Sequence, residues 1–577
     1  MNIRKDHFPD LNQFNSINIK DNFYFPYSLI ELYLNLSRKN DNFSIETIYY
    51  EYCKVIENVQ NFSINDSERK THLILLYKLI AQTRDITYGK GERLLTYVLI
   101  SAWYKFFPVS ACLALKLLVT NTDNDDHLFS PYGSWCDIKY FCDYVKNANY
   151  ISKEDSNLLI DTAIGIMNHQ INKDRLNWNK ALGTYLENKV NNYHFNFRPN
   201  GRNIMSFAVK WCPRENSKFG WLYELIVKQW VKMFTPQYNI DDAKIFSFCK
   251  RNYRKMISAL NKELDTIQIK QCNNNWTNID PNNVSIGTLI KQHRAFQKTH
   301  TIDRKTCKEH FDDYYNEIND INDYNNDFNK TILPISKIVS YAFKLLSNEG
   351  STNEGSTKKM YNWINHIWKR TINSLEINTL VNALPIVDIS WDLDADSRNS
   401  SIGLGIAIAI KSNINRLIVF ENIPYWLSIS PNEDFMTIIK KIHDKIKQAT
   451  CSNIDPVFSM IIEAFDSTIT YSNMTTKNDI VFFIFNGGKD INPLLKEHFH
   501  SSTFIFWHIQ RSGYFKYKPI HALSGNFYLS GNSITEINNI EKYYIERFKI
   551  GCLSDYIINI LSAPRYKVME TNAVDIS

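Results

Sequence analysis

Residues 383–401 read ALPIVDISWDLDADSRNSS. Leu384 to Val387 form an apolar run, Asp388 closes it, and polar side chains then recur at every second position: Ser390, Asp392, Asp394 and Asp396. An apolar run that ends in turn-forming residues predicts a core strand of a parallel sheet. Open α/β sheets place their ligand sites at the carboxyl ends of such strands. Clustered oxygen side chains suit a hard cation such as Mg²⁺. A calcium loop counted from Asp388 would need Gly at its sixth position and Glu at its twelfth, where Leu393 and Asn399 stand. An Asp-x-Asp phosphatase would use Asp394 and Asp396, which fall well past the strand tip.

A second chemistry is carried by cations. The chain holds 66 Lys and Arg against 60 Asp and Glu, a net charge of +6. Residues 171–310 carry 24 basic and 11 acidic side chains, while residues 388–577 carry 18 and 20. The basic segment is interleaved with Trp178, Tyr193, Phe195, Phe197, Trp211, Phe219, Trp221, Tyr253 and Trp276. Basic side chains bind phosphate and aromatic faces stack on unpaired bases, a mixture suited to structured or single-stranded RNA. The plainer alternative is a helical array with aromatics in its core and Lys and Arg on solvated faces. The phosphate-contact candidates are Lys210, Arg214, Lys218, Lys250, Arg251, Arg254 and Lys255. Arg251 and Arg254 lie three apart on one helical face, with Lys255 beside them.

The element GKGER, residues 89–93, lacks the spacing of a phosphate-binding loop and has no strand before it. Its glycines predict a tight helix–helix turn. Arg84, Lys90 and Arg93 would flank that turn, either as an internal salt-bridge cluster with Asp85 and Glu92 or as an RNA-facing lining.

The elements that must hold these residues divide the chain in two. A length of 577 residues exceeds one core and predicts several domain-sized units. Apolar residues at spacings of three and four recur from Thr71 onward, with Gly and Pro between the runs, which predicts an α-solenoid-like array of degenerate HEAT-like helix pairs over 1–345. Within it, 1–65 reads as an extension and 311–330 as an acidic exposed loop. The tandem SNEGSTNEGST predicts a flexible linker at 346–358. From 359 to 577 strands and helices alternate, which predicts a doubly wound, mostly parallel α/β domain. The fold class is therefore α followed by α/β. No apolar run reaches the ~20 residues of a membrane span, and residues 1–13 hold no apolar leader, so an intracellular protein without membrane contact is expected. The ten Cys are scattered, as core thiols in a reducing compartment are. No local signature of a nucleophile, base or zinc protease occurs, so no enzyme activity is expected.

Several blocks carry a resemblance. RDITYGKGERLL (84–95), YGSWCDIKYF (132–141), VKWCPRENSKF (209–219) and the run 253–276 in the helical half precede VDIS (387–390), CSNIDPVF (451–458), FFIFNGG (482–488), TFIFWHIQ (503–510) and YLSGNS (528–533). In this order they resemble a family of eukaryotes and giant viruses that joins a TROVE-like helical array, like that of the Ro autoantigen, to a von Willebrand factor A-like domain. The resemblance covers most of residues 70–577. It implies helices closed by an A-type domain, RNA as partner, a protein ligand at the A-type loop, and a host-cytoplasmic or virion-associated location. It also implies a metal site. Asp388 and Ser390 match its first two positions, Asp392 replaces a Ser, Ser452 falls where a Thr would stand, and Asn486 falls where an Asp would stand. The carboxylate lost at Asn486 is regained at Asp392, so Mg²⁺ remains compatible by charge. The competing expectation is a scaffold or virion-associated structural protein without specific nucleic-acid binding.

Overall fold

In the computed structural model the chain is described at residues 24–36, 43–124, 127–190, 198–320, 333–347, 354–375, 382–390, 393–421, 423–430, 432–446, 453–469, 480–486, 499, 502–509, 527–546 and 553–576. Its first half is helical. Helix Asp66–Arg84 starts where the Asn65 side chain accepts from the Glu68 amide at 2.8 Å, while the Glu68 carboxylate reaches back to the Ile64 amide at 3.0 Å. These bonds satisfy donors that a helix start leaves open. Helix Pro108–Leu117 opens on a proline, whose missing N–H costs nothing at that position. Helix Arg93–Tyr104 buries every residue from Leu95 to Trp103 and packs against Phe43–Phe62, Asp66–Arg84, Pro108–Leu117 and Cys136–Asn147. Between Asp66–Arg84 and Arg93–Tyr104 lies the expected tight turn. A Cβ on Gly89 would stand 2.0 Å from the Gln82 carbonyl oxygen, and Gly91 has φ +70°. Only glycine meets both conditions without strain.

A short hairpin, β1 (Thr122–Asn124) with β2 (His127–Phe129), interrupts the helices. Three-residue strands carry too little pattern to be foreseen.

The second half contains β3 (Ala383–Asp388), β4 (Arg416–Phe420), β5 (Pro424–Ser428), β6 (Val481–Phe485), β7 (Thr503–His508) and β8 (Phe527–Ser530). Their order in the sheet is β5-β4-β3-β6-β7-β8. All neighbours are parallel except the hairpin edge β4–β5. This is a doubly wound sheet whose order reverses between β3 and β6. β3 and β6 are buried at every residue, the signature of strands covered on both faces.

Helix Ala395–Lys411 follows β3 and lies close to it. A Cβ on Gly405 would come within 2.4 Å of Val387, and one on Gly403 within 2.6 Å of Ile335. The helix begins at Ala395, because Asp394 caps it through the Ser397 amide at 3.0 Å.

Three boundaries differ from the sequence reading. Helix Ile335–Leu346, read as the end of the array, packs against Ala395–Lys411 and Phe435–His443 of the α/β half. Residues 311–320, read as a loop, complete helix Ile302–Asp320, because Phe311, Tyr314 and Tyr315 form a buried helical stripe. The second part of the expected linker belongs to helix Glu354–Asn373, while 348–353 and 321–330 lie outside the described residues.

The two ends of the chain meet. Helix Leu553–Leu561 packs against Phe25–Asn35 and Asp66–Arg84, helix Lys567–Thr571 against Asp66–Arg84, and Phe25–Asn35 against β8. One contiguous apolar core therefore runs through both halves. Among the described residues no helix is long and apolar enough to cross a membrane.

Candidate functional site

The sheet places the first site at its reversal point. Asp388 ends β3 opposite Phe420 of β4, so Glu421 stands one residue beyond it. Asp388 and Ser390 are 2% and 1% exposed. The Asp388 carboxylate accepts from the Ser390 amide at 2.8 Å, which is a turn made by the side chain of its first residue. The Ser390 Oγ is buried without a hydrogen-bond partner among the described residues. Asn486 closes β6 with φ +54°, a backbone state that Asn tolerates better than most residues. Its amide group is engaged at both ends: Nδ2 donates to Ser401 Oγ at 2.9 Å, and Oδ1 accepts from the Ile509 amide at 2.9 Å. Asp392 and Ser452 lie outside the described residues. Asp394 is a helix cap, and Asp396 receives Lys337 at 3.0 Å, so neither joins the cluster that their spacing suggested. Instead Glu421 is the described charge beside Asp388, and Arg398 acts on Glu421 and Asp394. Burial raises the Glu421 carboxyl above its ordinary value; Asp388 adds to the rise and the Arg398 guanidinium opposes it. Burial lowers the Arg398 pKa, against the pull of Glu421 and then Asp394.

The cations flanking the glycine turn are structural. Arg84 is 3% exposed and donates to both Asp137 oxygens, at 2.9 and 3.2 Å, and the Arg93 Nε meets the same carboxylate at 3.1 Å. The internal salt-bridge cluster therefore exists, with Asp137 as the hub of Arg84 and Arg93 in place of the expected Asp85, while Glu92 acts on Lys90. Asp85 faces the other end of the chain. It binds the Arg565 guanidinium, with Nη2 to Oδ1 at 3.0 Å, and accepts from the Tyr566 hydroxyl at 3.1 Å. Tyr132 donates to the Arg565 carbonyl at 2.8 Å. Lys90 is 2% exposed; its Nζ donates to the Tyr33 and Leu36 carbonyls and, at 2.6 Å, to Ser530 Oγ at the end of β8. Burial pulls the Lys90 ammonium down to about 7, with Glu536 and Glu92 acting the other way. Burial likewise raises the Glu536 carboxyl, against the hydrogen bond from Tyr556 and the charge of Lys90. Arg84 and Lys90 are too buried to reach a ligand; Lys90 ties the first helices to β8, and the Asp85–Arg565 pair ties them to the last helices.

The basic segment is different. Lys210 is half-buried beside the rings of Phe207 and Trp211, at 5.5 and 5.7 Å. Arg214 is exposed. Lys218 pairs with Asp143 at 3.6 Å while three-quarters exposed. Lys250 and Arg254 share Glu215, each at 3.6 Å, and Lys250 also meets Glu224 at 3.3 Å. Arg251 and Lys255 have no ion pair among the described residues and face solvent.

Two arrangements were missed by sequence reasoning. On helix Cys136–Asn147, Lys139 stands 4.7 Å from the Trp211 ring and 5.1 Å from Phe219, and Lys146 stands 4.0 Å from Trp221. Arg93 lies 4.9 Å from the neighbouring Tyr140 ring. Cations thus stand beside the part-exposed rings of Tyr140, Trp211 and Trp221. On helix Ala243–Glu263, Lys244, Arg251, Lys255 and Lys262 are all exposed. Their spacings of seven, four and seven put them in a single row about 27 Å long. Cys249, Tyr253 and Leu260 bury the opposite side. A count of spacings could have found this row; the Lys139 cluster needed the fold.

Of the aromatics named from sequence, Trp178, Phe219, Tyr253 and Trp276 are core residues. Tyr193, Phe195 and Phe197 lie outside the described residues. Trp211 and Trp221 alone of that set remain part-exposed next to cations. Compared with known proteins, the chain matches no family model and no curated protein.

Proposed function

We propose that this chain is a non-enzymatic RNA-binding protein. Phosphates would be held by the row Lys244, Arg251, Lys255 and Lys262, and unpaired bases would stack near Trp211 and Trp221, with Lys139, Lys146 and Lys210 beside them. The observation that carries this reading is the row itself: helix Ala243–Glu263 has six basic residues and one acidic residue. A merely solvated face mixes both signs, whereas a polyanion needs one. Aromatic faces next to cations add sequence-tolerant stacking. The α/β half, read as a von Willebrand A-like domain, braces the helices through the meeting of the chain ends.

A salt series tests the proposal. Affinity for a labelled single-stranded RNA should fall steeply between roughly 50 and 200 mM salt as counterions are released. Changing the four row residues to Gln should flatten the log–log slope by up to about 3, since each phosphate contact contributes ~0.7 for single strands. Weak binding that ignores salt, or a slope unchanged in the variant, would refute it and favour a protein scaffold.

A further inference from the structure

We infer that Phe248 and Tyr238 form a platform on which an unpaired base of a single RNA strand stacks, beside the phosphate row of helix Ala243–Glu263. The inference rests on the RNA reading and names the feature of the ligand that this part of the surface recognises. First, the two rings are open to solvent. Phe248 is 49% and Tyr238 37% exposed, and their centroids lie 5.9 Å apart at an interplanar angle of 61°. An edge-to-face pair leaves each ring at least one face that the other does not cover. One exposed apolar side chain is ordinary; two adjoining rings set among cations make a surface with a chemistry of its own.

Second, Phe248 stands inside the cation row. It follows Lys244 by four residues and precedes Arg251 by three and Lys255 by seven, so one stripe of the helix carries all four. All four are exposed, and the buried Cys249, Tyr253 and Leu260 face the other way. Asp242, which precedes the row, is engaged as the helix cap: its Oδ1 accepts from the Lys244 and Ile245 amides at 2.7 and 3.2 Å.

Third, the chain's own cations leave these two rings alone. Lys228 and Lys250 stand 5.6 and 5.3 Å from the Phe246 ring, Lys146 stands 4.0 Å from Trp221, and Lys139 stands 4.7 Å from Trp211. Among the described residues no Lys or Arg stands over Phe248 or Tyr238; their ring contact is with each other. A flat apolar group with negative charge on either side fits this stripe, and a nucleotide within a single strand has that form. A duplex keeps its base faces stacked inside and offers the row phosphates alone. An apolar protein segment needs a continuous patch, which the cations on both sides of Phe248 interrupt.

The test uses the full chain and three dye-labelled ligands of equal length: an oligoadenylate, the same ribose-phosphate strand without bases, and a blunt RNA duplex. Anisotropy at one fixed salt concentration reads each affinity. The native protein should bind the oligoadenylate more tightly than either other ligand. Phe248→Ala should weaken oligoadenylate binding roughly 5- to 150-fold, the range of one base stack, and leave the abasic strand and the salt slope unchanged. Phe248→Trp should keep or raise the affinity. Tyr238→Ala should cost less than Phe248→Ala and act on the same ligand alone; should Phe248→Ala not fold, Tyr238→Ala decides by the same criterion. Oligoadenylate affinity unchanged in the alanine variants, an equal loss on the abasic strand, or equal native affinities for the two strands would overturn the inference while leaving salt-dependent RNA binding in place. A native protein that binds none of the three ligands overturns the RNA reading as well and leaves the rings to a protein partner.

Discussion

Arg84 and Lys90, at the glycine turn, and Arg251 and Lys255, on helix Ala243–Glu263, are alike in sequence. Each is a cation on or next to a helix. The fold treats them oppositely. The first pair is buried against Asp137, the Tyr33 and Leu36 carbonyls and the Ser530 hydroxyl, and the second faces solvent without an ion pair among the described residues. The difference lies in the partners. Those of Arg84 and Lys90 lie 53 to 440 residues away. Charge alone therefore identifies neither an interface nor a brace; the distance to the compensating group decides.

The largest expected effect comes from breaking the brace. Arg565→Ala leaves Asp85 charged and buried, and removing one member of a buried pair costs about 3–5 kcal/mol. Urea unfolding of the two proteins measures it. A change below ~1 kcal/mol would mean that the chain ends are held by apolar packing alone.

Acid should strain both halves at once. Burial pulls His293 in the helical half and His508 in the sheet down from 6.5 to about 4. His293 Nδ1 and His508 Nε2 are shut off from water, although part of each residue reaches the surface. The unfolded chain binds these protons first, so this stability is complete above pH ~6.5 and is lost as pH falls toward 4. Each His contributes up to about 3 kcal/mol of that loss. Unfolding curves at pH 7, 5.5 and 4.5 follow it, and His508→Gln should flatten its share.

A smaller effect separates exposed rings from core rings. Trp211→Ala should weaken single-stranded RNA binding by ~1–3 kcal/mol per base stacked. Anisotropy with short RNA reads the change, and an unaltered affinity would remove Trp211 from the interface. The smallest effect belongs to the solvated cations: Arg214→Ala should leave stability within ~0.5 kcal/mol of the native protein, which one thermal melt can check.

The alternation of strands and helices in the α/β half was legible because strands such as Arg416–Phe420 and Val481–Phe485 are short apolar runs between turn residues. The start of helix Ala395–Lys411 was not. Ser397, Asn399, Ser400 and Ser401 are polar by type yet buried, and bonds such as Asn486 Nδ2 to Ser401 Oγ come from 85 residues away. In the candidate interface, Arg251 and Lys255 were legible from composition. Lys139 and Lys146 were not, because the rings they meet lie on helices and turns that only folding brings beside them.

The joining of the chain ends sets a schedule for biosynthesis. Helix Phe25–Asn35 leaves the ribosome early, yet the helix Leu553–Leu561 that covers it is translated more than 500 residues later. At roughly 5–20 residues per second that interval is on the order of 25–100 s. Throughout it Leu29, Ile30 and Tyr33 lack their final cover and Asp85 lacks Arg565. A nascent polypeptide built this way is a client for chaperones until the segment that carries Leu553–Leu561 and Arg565 has been made.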